Sequence, residues 1–202
     1  MKKLMILGAG GHGKVVADIA RLCGYEQIAF LDDDPAKTSW VGYPVSGPIC
    51  QQDAYDQWDF FVAIGDSSVR QQLQDALAQK GLSIATLIHP KAVVAQSATI
   101  GRGSIVMACA VVNPDAMIGQ GCIINTCASV DHDCVVGDFC HISVGSHLSG
   151  TVHIGAHTLL GIGAVVSNNL TICSHCTIGA GAVVIQDIRQ SGTYIGVPAK
   201  KQ

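Results

Sequence analysis

The chain has 202 residues, 49% of them hydrophobic and only 13% charged, with a formal net charge of −3. That supplies a buried core for one or two domains, and the weakly acidic balance argues against a nucleic-acid polyanion as partner. No apolar run approaches the roughly 20 residues that span a bilayer, and no signal peptide is legible at Met1-Lys2-Lys3, so a cytoplasmic, reducing setting is expected.

Lys3 to Leu7 is a short apolar run that ends in Gly8-Ala9-Gly10-Gly11-His12-Gly13. A helical pattern follows through Val15, Val16, Ile19, Ala20 and Cys23, closed by Gly24. Ile28 to Leu31 reads as a second strand ending in Asp32-Asp33-Asp34-Pro35. Strand, glycine turn, helix and strand make a βαβ unit. Glycines let backbone N–H groups approach a phosphate at a helix N-terminus, and an acidic strand end accepts hydrogen bonds from a ribose or base. A single unit of this kind suits a nucleotide sugar better than a nicotinamide dinucleotide; a purely structural role for the glycines stays open.

Residues 36–57 read as irregular. Asp59 to Ile64 is a buried strand that stops at Gly65-Asp66, and Ser67 or Ser68 is expected to cap a helix through Val69, Leu73, Leu77 and Lys80. Gly81 ends that helix, and Ser83 to Ile88 reads as a further strand. The α/β domain is therefore residues 1–85, with the strand ends at Gly8, Asp32 and Gly65 along one edge, where open parallel sheets bind ligands.

From Ile88 to Val184 every sixth residue is aliphatic, as in Val106, Val112, Ile118, Ile124, Val130 and Val136, with no insertion in the register. The residue two positions earlier is small in most repeats, as at Ala110, Ala116, Cys122, Ala128, Cys134 and Cys140. A six-residue period belongs to a parallel β-helix of short strands joined by tight corners. Residues 86–202 form this domain and a C-terminal tail, where Pro198 disfavours a strand except at an edge. Among the nine cysteines no CxxC pair is read; Cys122, Cys134 and Cys140 take the small inward position, where buried thiols pack as small hydrophobes, and a reducing setting disfavours the disulfides that stacking of Cys109 with Cys127 or Cys122 with Cys140 leaves open.

The histidines of the repeats are mostly read as bland. His157 and His175 stack outside if three hexads make one coil. His141, His147 and His153 fall on three successive faces, so they cannot converge on one metal within a chain, and no metal site is expected. His132 differs, because it stands between Asp131 and Asp133. A histidine accepts a proton near neutral pH, and a carboxylate on its other ring nitrogen fixes the tautomer.

Several motifs together carry a resemblance: the Gly8–Gly13 turn, Leu31-Asp32-Asp33, the hexads, Val130-Asp131-His132-Asp133-Cys134 and Gly196-Val197-Pro198-Ala199-Lys200. Over nearly its whole length the chain resembles the NeuD/PglD-like sugar acyltransferases of the left-handed β-helix superfamily. The resemblance implies a Rossmann-like N-terminal domain followed by a left-handed parallel β-helix; the hand comes from the resemblance alone. It implies a homotrimer with acetyl-CoA lying along the β-helix between subunits. It implies N-acetylation at the C4 amine of a UDP-4-amino-4,6-dideoxy sugar on the route to bacillosamine. O-acetylation of a sialic acid or another surface glycan is the alternative. By the same resemblance His132 is the general base and Asp133 its acidic partner, a position where glutamate is found in a close relative. His141 is a second site histidine on the acyl donor, and Asn125 is a sugar contact. Gly10, Gly11, His12, Gly13, Asp32, Asp33 and Gly65 would bind the nucleotide sugar; Gly150, Ile162 and Ala180 join His141 on acetyl-CoA.

Overall fold

In the computed structural model, which describes residues 1–202, the first apolar run is strand β1 (Lys2–Leu7), followed by helix α1 (Gly11–Leu22) and strand β2 (Tyr25–Leu31). β1 and β2 pair in parallel, and Leu4, Met5, Ile6 and Leu7 are fully buried. Such unbroken apolar runs belong to a parallel sheet covered on both faces. Gly13 is glycine because a Cβ there would run into the Gly8 carbonyl oxygen and, at 3.1 Å, the Phe30 ring. Helix and strand therefore pack at backbone distance.

The segment read as irregular holds a small hairpin, β3 (Ser39–Trp40) and β4 (Tyr43–Pro44), and a 3-10 helix, Ile49–Tyr55. Its glycines and prolines hid elements too short to show a period. β5 (Asp59–Val62) precedes helix α2 (Ser67–Gln79) and β6 (Ser83–Ile84). The helix cap is Asp66, whose Oδ1 accepts from the Ser68 and Val69 amides at 3.0 and 2.9 Å; Ser67 and Ser68 already lie inside the helix. The predicted strand from Ser83 to Ile88 divides into Ser83–Ile84 and Leu87–Ile88. The four parallel strands lie in the order β2-β1-β5-β6.

The chain divides into two units, Met1–Leu87 and Ile88–Gln202. The second is a parallel β-solenoid of mostly two-residue strands, with parallel neighbours 18 residues apart, as Ile105 with Ile123, Val111 with Ser129 and Met117 with Val135. Three sheets form its faces, of eight, six and five strands. Both sequence patterns point inward: Val112, Ile124 and Val130 are fully buried, and so are Ala110, Cys122, Ala128, Cys134 and Cys140. Burying each large aliphatic side chain contributes about 1.5–3 kcal/mol. The glycine after the aliphatic residue keeps coils in backbone contact, since a Cβ on Gly137 would lie 2.7 Å from the Ala156 nitrogen.

All nine thiols are free. His157 and His175 stack with centroids 4.9 Å apart and planes within 3°, and Phe139 extends the stack at 5.6 Å. His141, His147 and His153 lie on three different sheets. The tail forms a strand, Gly192–Ile195, parallel to Cys176–Ile178, and returns antiparallel through Lys200–Lys201; Pro198 sits in the turn between them. No helix is long and apolar enough to cross a membrane.

Candidate functional site

In the α/β unit, the carboxyl ends of three strands meet. Gly8 N–H donates to Leu31 O at 2.9 Å and Ala63 N–H to Leu7 O at 2.8 Å. The strand order reverses between β1 and β5, which makes this edge the crevice where open parallel sheets take ligands. Gly10 caps α1 without a side chain. A Cβ added to Gly10, Gly11 or Gly65 would meet nothing within 4 Å. These glycines are not demanded by packing within the chain; they leave open backbone at a helix N-terminus, the arrangement that receives a phosphate.

Asp32 bonds inward as well as facing this edge. Its Oδ2 accepts from Ala9 N–H at 2.7 Å and its Oδ1 from Asp34 N–H at 3.0 Å and Lys37 Nζ at 3.1 Å. Burial pushes the Asp32 carboxyl up, but the amides of Asp34 and Ala9 and the Lys37 ammonium outweigh it, so its pKa lies below the usual value. Asp33 accepts from Ile49 N–H at 2.9 Å and holds the 3-10 segment. His12 packs edge-on against Phe61 with centroids 6.5 Å apart. A cavity of about 330 Å³ is lined by Asp32, Asp33, Lys37, Thr38 and Gly47 among others.

Sequence reasoning missed Trp40. Its indole N–H donates to Gly10 O at 3.1 Å, and Lys14 and Lys37 lie 4.6 and 5.6 Å from its ring centroid. A tryptophan and two cations thus flank the glycine turn. A lone Trp in a Gly/Pro-rich stretch was the one available signal, and nothing in its spacing tied it to Gly10. Arg70, fully buried, donates from Nη1 to Ile64 O and Gly65 O at 2.9 and 2.8 Å and fixes the loop that carries Gly65.

In the β-solenoid, His132 follows the strand Ser129–Val130 at a corner where Asp133 takes a left-handed φ of 57°. That turn brings the Asp133 carboxylate back onto the ring: Nδ1 donates to Oδ2 at 2.7 Å. Asp131 has a different task. Its Oδ1 accepts from the His132 amide and from Asn113 Nδ2, both at 2.8 Å, so it holds the backbone rather than the imidazole. The Asp133 hydrogen bond raises the His132 pKa above the ordinary value; desolvation opposes it, and the charges of Asp131 and Asp133 add to it. Nε2, the other ring nitrogen, makes no hydrogen bond within the chain.

Gly150, one coil on, completes the geometry. A Cβ there would lie 2.5 Å from His132 Nε2 and 2.6 Å from Cε1. The imidazole therefore rests on the Gly150 backbone. Asn125 and His141 form a second pair, Nδ2 to Nε2 at 3.0 Å. Ile162, 63% exposed, and Ala180 lie one coil apart at the corner that also carries Asn125. The chain does not bring all these residues to one point. His141 is on the eight-stranded sheet, and His132 closes a strand of the six-stranded sheet. Successive edges are separated by a strand and a corner, on the order of 15 Å at about 3.3 Å per residue.

Over its full length the chain is 44% identical to the acetyltransferase domain of PglB from Neisseria gonorrhoeae FA1090, all of which it covers, with a TM-score of 0.96. The chain belongs to the NeuD/PglD-like sugar acyltransferases. Within that family, the model of the PglD N-terminal domain matches residues 3–77. PerB from Caulobacter crescentus, solved in complex with CoA and GDP-perosamine, is 42% identical over 100% of this chain and 98% of its own, with a TM-score of 0.93. Two curated relatives match more narrowly. The UDP-N-acetylbacillosamine N-acetyltransferase of Bacillus subtilis (strain 168) is 38% identical over 113 residues, and the GDP-perosamine N-acetyltransferase of Escherichia coli O157:H7 is 31% identical over 108. Those alignments take in 54% and 50% of this chain, and the chain spans only 52% and 49% of those two proteins.

Proposed function

We propose that this member of the family transfers the acetyl group of acetyl-CoA to the C4 amine of a UDP-4-amino-4,6-dideoxy sugar, in the cytoplasm and as a homotrimer. The observation that carries the reading is the His132 constellation. Asp133 holds Nδ1, Gly150 supports the ring, and Nε2 is left for a proton. The co-substrate supplies an activated thioester. The attacking amine must be neutral and sheds a proton as its bond to carbon forms; His132 Nε2 accepts that proton. Asp133 fixes the tautomer and stabilises the imidazolium that results. The Gly150 N–H at the same corner is a candidate donor to the developing oxyanion. His141, with Asn125, would contact the acyl donor and the sugar from another edge. Because one chain keeps the two edges apart, a neighbouring subunit is the natural source of the second group.

The glycine edge of the α/β unit, with Asp32, Asp33 and Gly65, would hold the nucleotide. Acetyl-CoA would lie against Gly150, Ile162 and Ala180. Relatives act on both UDP- and GDP-linked amino sugars by name, so the test presents both. Turnover of UDP-4-amino sugars and GDP-perosamine with acetyl-CoA is followed by free thiol release, and the product is identified as amide or ester. The reading expects an amide from the UDP sugar and loss of most turnover in His132→Ala. Retention of turnover in a folded His132→Ala protein removes the base assignment. An ester product would move the chain to O-acetylation.

A further inference from the structure

We propose that Cys173 and Cys176 form a reactive dithiol that closes to a disulfide across one corner of the solenoid, with a small-molecule disulfide as oxidant. Cys173-Ser174-His175-Cys176 is a CxxC spacing, which corrects the reading that no such pair is present. The two Sγ atoms lie 3.6 Å apart across a corner where His175 takes a left-handed φ of 59°.

Two features separate this pair from the other thiols. The inward cysteines of lower coils are each satisfied by a backbone carbonyl. Cys122, Cys134 and Cys140 donate to Gly137 O, Ser149 O and Gly155 O at 3.1, 3.2 and 3.1 Å. Cys176 occupies the same inward position, yet its nearest carbonyls, Gln190 O and Ser174 O, stand at 3.8 and 3.9 Å. Its closest polar neighbour is the Cys173 thiol. Second, Cys173 stands where lower coils carry Gly101, Gly119, Gly137 and Gly155. In those coils a Cβ would meet the backbone of the next coil, for Gly155 at 2.7 Å from the Cys173 carbonyl carbon. Above Cys173 the regular ladder has stopped, and only an isolated bridge joins Ile172 to Ile188. The break gives the Cys173 side chain its room and leaves it partly exposed.

The chemistry balances without further reagents. The accessible Cys173, as thiolate, attacks one sulfur of the external disulfide and expels a thiolate. Cys176 then loses its proton, attacks Cys173 Sγ and expels the second thiolate. Two protein S–H groups and one external S–S become one protein S–S and two external thiols. Cys173 is partly exposed and Cys176 buried, which assigns the first attack to Cys173; burial also pushes the Cys176 thiol up to about 11, with Cys173 adding to the shift. Rotation of the two side chains closes 3.6 Å to the bond length of about 2.05 Å. Cys176 opens the strand Cys176–Ile178, which pairs with Leu159–Leu160 on one side and with the terminal strand Gly192–Ile195 on the other. The bond would staple the corner on which the C-terminal hairpin docks.

The test uses the full chain, exposed to glutathione disulfide, blocked with an alkylating agent and digested for mass spectrometry. The expected result is loss of two hydrogens in the peptide holding Cys173 and Cys176, with Cys122, Cys134 and Cys140 still alkylated after unfolding. Cys176→Ser should instead retain glutathione on Cys173, and Cys173→Ser should show neither product. A trivalent phenylarsenical gives a second measurement that needs no oxidant: the expected stoichiometry is one per wild-type chain and none for Cys173→Ser. A persistent glutathione adduct on Cys173 in the wild type, or oxidation of Cys109 with Cys127 in its place, overturns the proposal. So does arsenical binding unchanged in Cys173→Ser.

Discussion

Gly150→Ala separates a positioning role from a structural one. The added Cβ would sit 2.5 Å from His132 Nε2, whereas non-bonded carbon contacts are comfortable at about 3.5–4.0 Å. The ring must therefore retreat by about 1 Å. His132 is 57% exposed on its side chain, so it retreats into solvent at little cost to stability. The Gly150 φ lies outside the left-handed region, so alanine imposes no backbone strain. Reduced unfolded-state entropy contributes about 0.4–1 kcal/mol in the stabilising direction. Turnover should suffer far more, because a misplacement of about 1 Å in a reacting group costs on the order of 100-fold. Thiol-release kinetics and calorimetry on the same preparation read both effects. Wild-type kcat with an unchanged Tm would refute the claim that Nε2 is the reacting nitrogen resting on Gly150; a large drop in Tm would show that the glycine serves packing instead.

The acid limb of kcat/KM should titrate above the ordinary histidine value of about 6.5, because a raised His132 pKa leaves the base protonated to higher pH. Asp133→Asn should move that limb to lower pH and lower the plateau, and a limb that does not move would detach Asp133 from the imidazole. In the α/β unit, Gly10→Ala should weaken nucleotide-sugar binding by calorimetry without lowering Tm, since its Cβ meets nothing in the chain. Gly13→Ala should do the reverse and destabilise by about 1–3 kcal/mol through overpacking. Asp66→Ala removes a helix cap and should cost about 1 kcal/mol in denaturant unfolding, with acetyl transfer unchanged at saturating substrates.

The fold was legible because its period is covalent arithmetic. An aliphatic residue every six positions, with a small one two before it, places both inside a three-sided coil, and the buried Val112, Ala110, Cys122 and Ile124 show it. The α/β domain was legible from short apolar runs stopped by glycine or aspartate: Leu4–Leu7, Ile28–Leu31 and Phe60–Val62 are buried strands of one parallel sheet. What stayed hidden had no period. The Trp40 indole reaches Gly10 through a hairpin of two two-residue strands, and no spacing encodes that reach. Asp66 displaced the serines as cap because its carboxylate satisfies two amides at once. Between Asp131 and Asp133, symmetric about His132 in sequence, only the left-handed φ at Asp133 decides which carboxylate meets the ring and which meets the backbone.

Glycine carries three meanings in this solenoid, and the structure distinguishes them by what a Cβ would strike. At Gly101, Gly119, Gly137 and Gly155 it would strike the backbone of the next coil, so those glycines serve stacking. At Gly145, Gly163 and Gly181 the φ values of 61°, 67° and 65° put the residue in the left-handed region, so those serve the corner. At Gly150 the three nearest atoms it would meet all belong to the imidazole of His132. The first two classes answer to the repeat, although Cys109 and Cys127 take a φ of 57° in the same column as Gly145, Gly163 and Gly181, and Cys173 replaces the stacking glycine. The third does not follow from it: neither stacking nor corner geometry asks for glycine at position 150. Its absence of a side chain is explained by a neighbour that is itself exposed and hydrogen-bonded to a carboxylate. That is a reason to place the chemistry of this unit at that corner which owes nothing to the family resemblance.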